Sequence, residues 1–422
     1  MFDWMRMLYR SMRYVVTSDG KTGDRILDSN SGVLAGDSFS PSLFDFYFGD
    51  LSLRDRPGDI SLGGIRVKNV EQADDGNLFS HGVPHLQDRL TEFVEYAEGK
   101  DLHTNVAKTD AVAFNCRRGP IPPLHIYDKD LCWKAEAVSV GVLFCTAQGD
   151  ILNMHHLRQA SKAQSIAGAT LALINYLGDL PPALALKLYK SRIDPILCFG
   201  CEIGTAISPA TLHALEQVQL NFLRRILGLS KKSTCILPFT ETGILPIRYR
   251  RLILALRFYK RLLLDNSGSI AAHAFQDACA LYMTGKAGWL GDLAYALARL
   301  KCPVRVDFVR ITTGSDVDDV IHQVQDSFRS HVRALLSQRR RLTLLRARDS
   351  MEENGPEPRD PIQYRAYLDI AMPHHRKALT LILAGEHPLL DVRGGWSQRG
   401  EKIAREWRRC RFCEDGIEDG VH

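Results

Sequence analysis

The stretch Val67-Lys68-Asn69-Val70-Glu71-Gln72-Ala73-Asp74-Asp75-Gly76-Asn77-Leu78-Phe79 contains two adjacent aspartates between runs that are typical of β-strands. We therefore expect Asp74 and Asp75 to lie at or near a hairpin turn, where the flanking strands fix the direction of an exposed carboxylate. Such carboxylates suit divalent metal ions, and phosphoryl transfer uses two Mg²⁺ ions to neutralise the attacking and leaving oxygens. An ordinary Asp-Gly hairpin turn with solvated carboxylates is the simpler explanation of the dipeptide taken alone.

Working outward from this hairpin, the charge of the chain is divided unevenly. The 422 residues carry a net charge of +5. Residues 1–150 contain 16 Lys/Arg and 22 Asp/Glu, whereas residues 151–422 contain 38 and 27. A basic half can neutralise a polyanion such as nucleic acid, although a solvated basic surface on helices explains the same numbers equally well.

Composition and cysteine usage exclude several classes of protein. A chain of 422 residues with 45% hydrophobic and 24% charged residues is long enough for two or three globular domains. Ten cysteines without a repeating framework indicate a reducing compartment. The N-terminal residues mix charges among apolar positions, and no apolar run is long enough to span a membrane. We expect a protein of the nucleus or cytoplasm that is not secreted and has no membrane partner.

Hydrophobic periodicity predicts an α+β domain followed by helices. Residues 1–16 have helical spacing, and the turn-rich residues 17–37 precede another helix that begins near Ser38. The remaining predicted elements of the first 150 residues are strands at Ile65–Val70, Asn77–Phe79 and Ala111–Asn115, a helix at Val83–Gly99, and a hairpin at Ala137–Cys145 ending in a Gly149–Asp150 turn. The predicted helices after Leu152 are His155–Leu177, Pro182–Cys198, Pro209–Leu227, Pro246–Leu264, Ile270–Thr284, Leu290–Lys301, Asp316–Arg348 and Pro361–Gly385.

A glycine-containing loop precedes the helix near Ser38. Gly32 and Gly36 permit close approach of another molecule to the backbone, and a helix N-terminus favours a phosphate. A plain loop-to-helix junction explains this segment on its own.

Three motifs taken together resemble the palm of reverse transcriptases from non-LTR (LINE-type) retrotransposons, in particular fungal ones. They are Gly-Val-x-x-Gly-Asp-x-x-Ser-Pro-x-Leu-Phe-x-x-Tyr-x-x-Asp-Leu at residues 32–51, Ala-Asp-Asp at residues 73–75, and Asn-x-x-Lys-Thr at residues 105–109. The resemblance continues into Leu186–Gly200 and Glu216–Leu229, which are similar to the helical thumb of these polymerases. It implies an incomplete palm, built from an antiparallel sheet with helices, followed by a helical thumb and a helical C-terminal region.

The resemblance also implies residue roles. Asp74 and Asp75 would hold Mg²⁺ and Lys108 would contact phosphate. Residues Gly32, Gly36, Asp37, Ser40 and Pro41 would contact the nucleotide and template. The hairpin at Val138–Phe144 would grip the primer terminus. Residues Lys231, Lys232, Arg248 and Arg251 would contact the nucleic-acid backbone. The implied partners are an RNA template and a DNA primer.

Departures from the family pattern imply low activity. Ala35 and Gln72 replace the glutamine and the aromatic residue that are usual in the family. The family's first catalytic aspartate lies on a strand before the helix that residues 1–16 resemble, so the resemblance implies that this carboxylate is missing. Asp74 and Asp75 alone would then neutralise the reacting phosphate, and we expect little or no polymerase activity.

The C-terminus resembles a truncated zinc knuckle. Cys410, Cys413 and His422 offer three ligands, whereas structural Zn²⁺ takes four, so we expect at most weak Zn²⁺ binding. A tail with two free thiols is the alternative. Elsewhere, His155 and His156 follow a helical pattern that indicates solvated or capping side chains rather than ligands.

These observations divide the chain into residues 1–150 (partial fingers and palm), 151–265 (thumb or connection), 266–405 (helical C-terminal region) and 406–422 (knuckle-like tail). The predicted function is that of an RNA-directed DNA polymerase fragment with two-metal chemistry and little activity. A nucleic-acid-binding remnant without catalysis is the alternative, and a protein–protein scaffold is a more remote one.

Overall fold

A computed structural model describes residues 13–19, 21–28, 37–116, 119–146, 149–178, 180–339, 360–386 and 403–410, with shorter pieces at 10, 342, 344–345, 413 and 415–417. The chain forms two compact units. Unit 1 comprises Met1–Ser61 and Arg66–Lys134, and unit 2 comprises Leu62–Ile65 and Ala135–His422. Helices and small two-stranded sheets together give the predicted α+β class.

The strands are β1 (Arg13–Ser18), β2 (Lys21–Asp28), β3 (Ile60–Leu62), β4 (Ile65–Val67), β5 (Asn69–Gln72), β6 (Asp75–Leu78), β7 (Ala111–Val112), β8 (Leu124–Ile126), β9 (Lys129–Leu131), β10 (Trp133–Lys134), β11 (Glu136–Ser139) and β12 (Val142–Cys145). Consecutive strands pair as β1–β2, β3–β4, β5–β6, β8–β9 and β11–β12, and β7 pairs in parallel with β10. Within the described residues each sheet has two strands, so the continuous antiparallel sheet of a palm is not formed there.

The α-helices are α1 (Ser40–Phe48), α2 (Val83–Gly99), α3 (Asn153–Leu177), α4 (Pro182–Leu188), α5 (Asp194–Cys198), α6 (Pro209–Leu227), α7 (Leu237–Thr242), α8 (Ile247–Leu263), α9 (Ile270–Met283), α10 (Trp289–Ala298), α11 (Gly314–Gln338) and α12 (Pro373–Leu383). A π-helical turn at Tyr189–Ile193 joins α4 to α5. Short 3-10 turns lie at Val106–Lys108, Phe308–Arg310, Ala366–Asp369 and Arg405–Trp407. None of the helices in the described ranges is long and apolar enough to cross a bilayer.

Helix α2 organises unit 1. Its buried residues Leu90 and Val94 are one turn apart and pack against the buried side chains of β7, β8 and β9. On the same helix the guanidinium of Arg89 is fully buried and donates to the equally buried carboxylate of Asp59. This pair ties α2 to the loop that precedes β3. Breaking such a pair costs several kcal/mol, because the remaining charge stays buried without its partner.

One apolar core runs through unit 2. Helix α6 begins at the N-cap Ser208, whose hydroxyl accepts from the backbone N–H of Thr211, and ends at Gly228 in the left-handed conformation. Its fully buried residues Leu215 and Leu223 belong to a core that extends from α3 to Ala384. This core includes residues on both sides of residue 265, and unit 2 begins its main segment at Ala135.

Three predictions of secondary structure were wrong. Residues 13–16, predicted as helix, and 21–28, predicted as turns, form the β1–β2 hairpin, because the β-branched run at Val15–Thr17 favours a strand and Asp19-Gly20 favours a tight turn. The predicted helix Asp316–Arg348 ends at Gln338, after which Leu342 and Leu345 turn into the core. The other error concerns Pro361–Gly385, where only the 3-10 turn and α12 are helical, with Pro373 in the first turn of α12.

Candidate functional site

The Asp74–Asp75 pair lies on the β5–β6 hairpin, as predicted. Gln72 is opposite Asp75 in the antiparallel register, so Ala73 and Asp74 form a two-residue turn. Ala73 has φ of 53°, a left-handed conformation that non-glycine residues rarely adopt. Asp74 is therefore at the tip of the hairpin and Asp75 is the first residue of β6.

Both carboxylates are exposed, and neither has a hydrogen-bond or ion-pair partner among the described residues. The nearest acidic neighbour in sequence, Glu71, instead accepts a hydrogen bond from the Asn69 side-chain amide. No third carboxylate, histidine or cysteine joins Asp74 and Asp75 in the described part of the chain to complete a metal-binding group. The hairpin tip is thus a patch of two unpaired negative charges.

Helix α2 supports the hairpin from one side. The ring of Phe93 lies against Gly76, where an added Cβ would come within 3.1 Å of the ring's Cζ atom. Leu78, at the far end of β6, packs against the apolar core of unit 1. These contacts hold β6 in a defined direction and leave the turn at its start in solvent.

The Asn105–Thr109 motif forms a capped turn in unit 1. The Asn105 side chain accepts a hydrogen bond of 3.2 Å from the backbone N–H of Lys108, and the Thr109 hydroxyl donates to the Asn105 carbonyl at 2.9 Å. The backbone is therefore fixed by the motif's own polar residues. The side chain of Lys108 is exposed, and its ammonium group is accessible to an anion.

The predicted glycine loop is only partly described. Gly32 and Gly36 lie outside the described residues. Asp37 is half-buried, and its carbonyl accepts from the backbone N–H of Ser40 at 3.3 Å. Ser40 is buried as the first residue of α1, and Pro41 lies in the first turn, as predicted. Whether these residues share a cleft with Asp74 stays a prediction.

The predicted primer-grip segment forms the β11–β12 hairpin of unit 2. Its turn is Val140-Gly141, with positive φ at both residues. Glycine at the second turn position favours this placement. The backbone N–H of Leu143 donates to the imidazole of His155 at 3.3 Å, which joins the hairpin to α3.

The four basic residues predicted to contact a nucleic-acid backbone differ in solvent exposure and in ion pairing. Lys231 and Lys232 are exposed. Arg248 forms a two-pronged ion pair with Glu216, with N–O distances of 2.8 and 3.3 Å. Arg251 is only 5% exposed, and its contact with a nucleic-acid backbone stays a prediction.

Arg251 belongs to a buried polar cluster that the sequence interpretation missed. Its guanidinium donates to the carbonyl of Leu197 at 2.5 Å and to His156 at 3.0 Å. Burial, reinforced by the charge of Arg251, lowers the pKa of His156 to about 3, so this imidazole is neutral. His155 and His156 are both fully buried, which contradicts the predicted solvated role, whereas Nε2 of His155 is hydrogen-bonded to the carbonyl of Phe199, the residue after α5, at 3.1 Å.

A sequence signal for the burial of Arg251 was present. Arg251 lies four residues after Ile247 and four before Ala255, on the buried face of α8. Its contact with His156, 95 residues away, carried no such signal.

The C-terminal cysteines lie close together in a small turn. An isolated bridge between Arg409 and Ile417 closes the turn, and the backbone N–H of Cys410 donates to the Gly416 carbonyl at 2.7 Å. Backbone N–H groups of Asp415 and Gly416 lower the pKa of the Cys413 thiol. His422, the third predicted ligand, lies outside the described residues, and Zn²⁺ binding stays a prediction.

No protein-family model matches the chain, and no curated protein matches it as a relative.

Proposed function

We propose that the chain is a nucleic-acid-binding protein of the reverse-transcriptase type, which binds an RNA template paired with a DNA primer and has little or no polymerase activity. The observation that carries the proposal is the exposed, unpaired pair of carboxylates at the tip of the β5–β6 hairpin. The Ala-Asp-Asp sequence at this tip is the second of the three motifs that together resemble the polymerase palm.

The donor set of the hairpin fits Mg²⁺ in part. Mg²⁺ prefers oxygen ligands and keeps several waters, so one or two carboxylates suffice to hold it weakly. Asp74 and Asp75 would supply those oxygens, and the bound ion would neutralise charge on a phosphate. Orientation comes from the chain itself, since β6 is fixed by Phe93 and Leu78.

The same donor set argues against efficient catalysis. In-line phosphoryl transfer by two metals requires both ions to be held in fixed positions about 4 Å apart. Two neighbouring carboxylates without a third ligand in the described residues hold such a pair poorly. We therefore expect this chain to bind the template–primer duplex but to catalyse little or no polymerisation.

Exposed lysines would provide the electrostatic part of duplex binding. Lys108, Lys231 and Lys232 have accessible ammonium groups. Arg248 contributes less, because Glu216 already neutralises its charge, and Arg251 is not among the exposed cations, since only 5% of it is accessible. Neutralising phosphates releases condensed counterions, so affinity should fall steeply as salt increases.

Duplex binding is tested by measuring the dissociation constant of an RNA–DNA duplex across a range of salt concentrations. The variant Lys231→Gln/Lys232→Gln should lower the slope of log affinity against log salt by about 1.8, since each phosphate contact contributes about 0.9. Lys162→Gln, an exposed lysine on α3 outside the predicted contact set, should change it little. A wild-type affinity that is independent of salt would contradict duplex binding.

Catalysis is tested by primer extension with Mg²⁺. We expect product at or near background from the wild-type chain. Asp128 occupies a hairpin tip like that of Asp74, so Asp128→Ala is the matched control for Asp74→Ala. Robust product that disappears in Asp74→Ala and persists in Asp128→Ala would overturn the expected inactivity and support polymerisation.

A further inference from the structure

Unit 2 contains a small, partly enclosed cavity with a strongly basic wall. Its volume is about 280 Å³, and it lies between the loop before α6, helix α8 and the end of α10. The cationic side chains of its wall are Arg248, Arg251, Arg299 and Lys301, and no carboxylate lines it.

The buried charge of Arg251 lacks a carboxylate partner. Its hydrogen bonds go to a backbone carbonyl and to neutral His156, and no ion pair within the described residues includes it. Cys201, also in the wall, stays a protonated thiol, since its hydrogen bond with Cys198 and burial raise its pKa. Glu202 acts on Arg251 only at longer range. A buried charge without a counter-ion is costly, so an anion at this wall would stabilise the folded protein.

Other polar residues lie in the wall of the same cavity. The Thr205 hydroxyl is buried and has no hydrogen-bond partner. Arg299 stacks over the ring of Tyr295 at 5.4 Å, which orients its guanidinium at the rim, and Lys301 is exposed beside it. Arg248 adds little net charge because it is paired with Glu216. Three unneutralised cations and a free hydroxyl are donors suited to the oxygens of a phosphate group.

We propose that this cavity binds a phosphate group. Its volume equals that of about nine water molecules at roughly 30 Å³ each, which accommodates one phosphate group with a small substituent but not a nucleic-acid helix. The phosphate belongs either to a small phosphorylated molecule or to one nucleotide of a strand that passes the rim. The site does not depend on Asp74 and Asp75, so it stands or fails separately from the proposed polymerase relationship.

The test is calorimetric titration of the full chain with inorganic phosphate at low ionic strength. Saturable binding is expected, and Arg299→Gln/Lys301→Gln should weaken it at least tenfold, because both substitutions remove cations from the rim. Thr205→Val should weaken it several-fold. Arg305→Gln removes a nearby exposed charge that does not line the cavity, and it should leave binding unchanged.

Two kinds of result would overturn the proposal. One is the absence of saturable phosphate binding by the wild-type chain. The other is an equal loss in Arg305→Gln and in the double variant, which would indicate general attraction to a basic surface. Thr205→Val keeps the side-chain shape and all charges, so it separates loss of the site from loss of folding, which near-UV circular dichroism reports.

The source of the phosphate is decided by competition. If a nucleic-acid backbone supplies it, an RNA–DNA duplex displaces bound phosphate, and Arg299→Gln/Lys301→Gln also weakens the duplex. If a small molecule supplies it, phosphate and duplex bind together. Both results support the cavity as a phosphate site and identify its ligand class.

Discussion

Two hairpins of unit 1 have similar two-residue turns and different charges at their tips. In β5–β6 the turn is Ala73-Asp74, and in β8–β9 it is Tyr127-Asp128. The first turn residue of each has φ of 53°, and an exposed aspartate follows it. The next residue is Asp75 in the first hairpin and Lys129 in the second.

The charge around the two tips therefore differs more than their geometry. In β8–β9 Asp130 pairs with His125 at 2.7 Å, and Lys129 places a positive charge beside Asp128. The first tip has two carboxylates and no partner for either in the described residues. We therefore expect the first tip to attract a cation more strongly than the second, because neighbouring charges set the local potential.

The two hairpins are also anchored differently. Helix α2 contacts both, through Phe93 at Gly76 and through Gln87, which exchanges two hydrogen bonds with the backbone of His125. Ile126 of the second hairpin is 2% exposed, whereas Val70 of the first is 40% exposed. The second hairpin is part of the core, and the first projects from it.

The largest expected effect comes from breaking the Asp59–Arg89 ion pair, which holds α2, the helix that contacts both hairpins. Asp59→Asn leaves the buried Arg89 guanidinium without its anion and should destabilise unit 1 by about 3–5 kcal/mol. Hydrogen exchange of peptides covering both hairpins measures the loss. Asp88 is an exposed residue next to Arg89 on α2. Asp88→Asn removes its ion pair with Arg56 and should lower the stability of unit 1 by less than about 1 kcal/mol. Loss of protection in one hairpin alone would contradict the shared role of α2.

The next largest effect compares how strongly each hairpin is packed into the core of unit 1. Ile126→Ala should destabilise unit 1 by about 2–5 kcal/mol, because it leaves a cavity in the core. Val70→Ala on the first hairpin should change stability by no more than about 0.5 kcal/mol. The same exchange measurement compares them, and equal losses would show that both hairpins are anchored alike.

Exchanging the tip charges tests the electrostatic difference. Asp75→Lys gives the first tip the Asp-Lys sequence of the second and should weaken Mn²⁺ binding about tenfold or more, which is about 1.4 kcal/mol. Lys129→Asp should create weak Mn²⁺ affinity at the second tip. Enhancement of water-proton relaxation on titration with Mn²⁺ measures both variants. If neither substitution changes Mn²⁺ affinity, charge at the tips does not control cation binding.

The smallest effect tests the common turn geometry. Ala73→Gly and Tyr127→Gly should each stabilise unit 1 by up to about 1 kcal/mol, because glycine adopts the left-handed conformation without strain. Ala107→Gly, at an exposed position with ordinary φ, should destabilise instead by about 0.5–1 kcal/mol. Opposite signs for the two turn variants would show that the hairpins do not share a turn.

Much of the fold was readable from local signals. Apolar spacing predicted α2 with its observed bounds Val83–Gly99, and α6 was predicted with its observed bounds Pro209–Leu227. The β5–β6 tip was predicted because Asp-Asp-Gly separates two strand-like runs. The β8–β9 hairpin was missed, since no glycine, asparagine or proline accompanies Tyr127-Asp128 to indicate a turn, whereas Gly76 follows the aspartates of the first hairpin.

Polar contacts between residues far apart in the sequence could not be predicted from these local signals. Asp59 and Arg89, like His156 and Arg251, are brought together by tertiary packing of separate segments. Their sequence neighbours give no indication of a partner. The cavity that we propose as a phosphate site has the same origin, because its cations come from α8 and from residues at the end of α10. The net positive charge of residues 151–422 was compatible with an anionic partner or with a solvated basic surface, and it did not locate a binding site.

Metal-directed cleavage of the backbone tests the central claim most directly. Fe²⁺ with ascorbate and peroxide generates hydroxyl radicals at the bound ion and cuts the chain nearby. We predict cuts near residues 72–76 that Mg²⁺ suppresses, that disappear in Asp74→Asn/Asp75→Asn, and that have no counterpart at residues 126–130. Equal cutting at both hairpin tips, or none at the first, would contradict the assignment of Asp74 and Asp75 as a divalent-cation site.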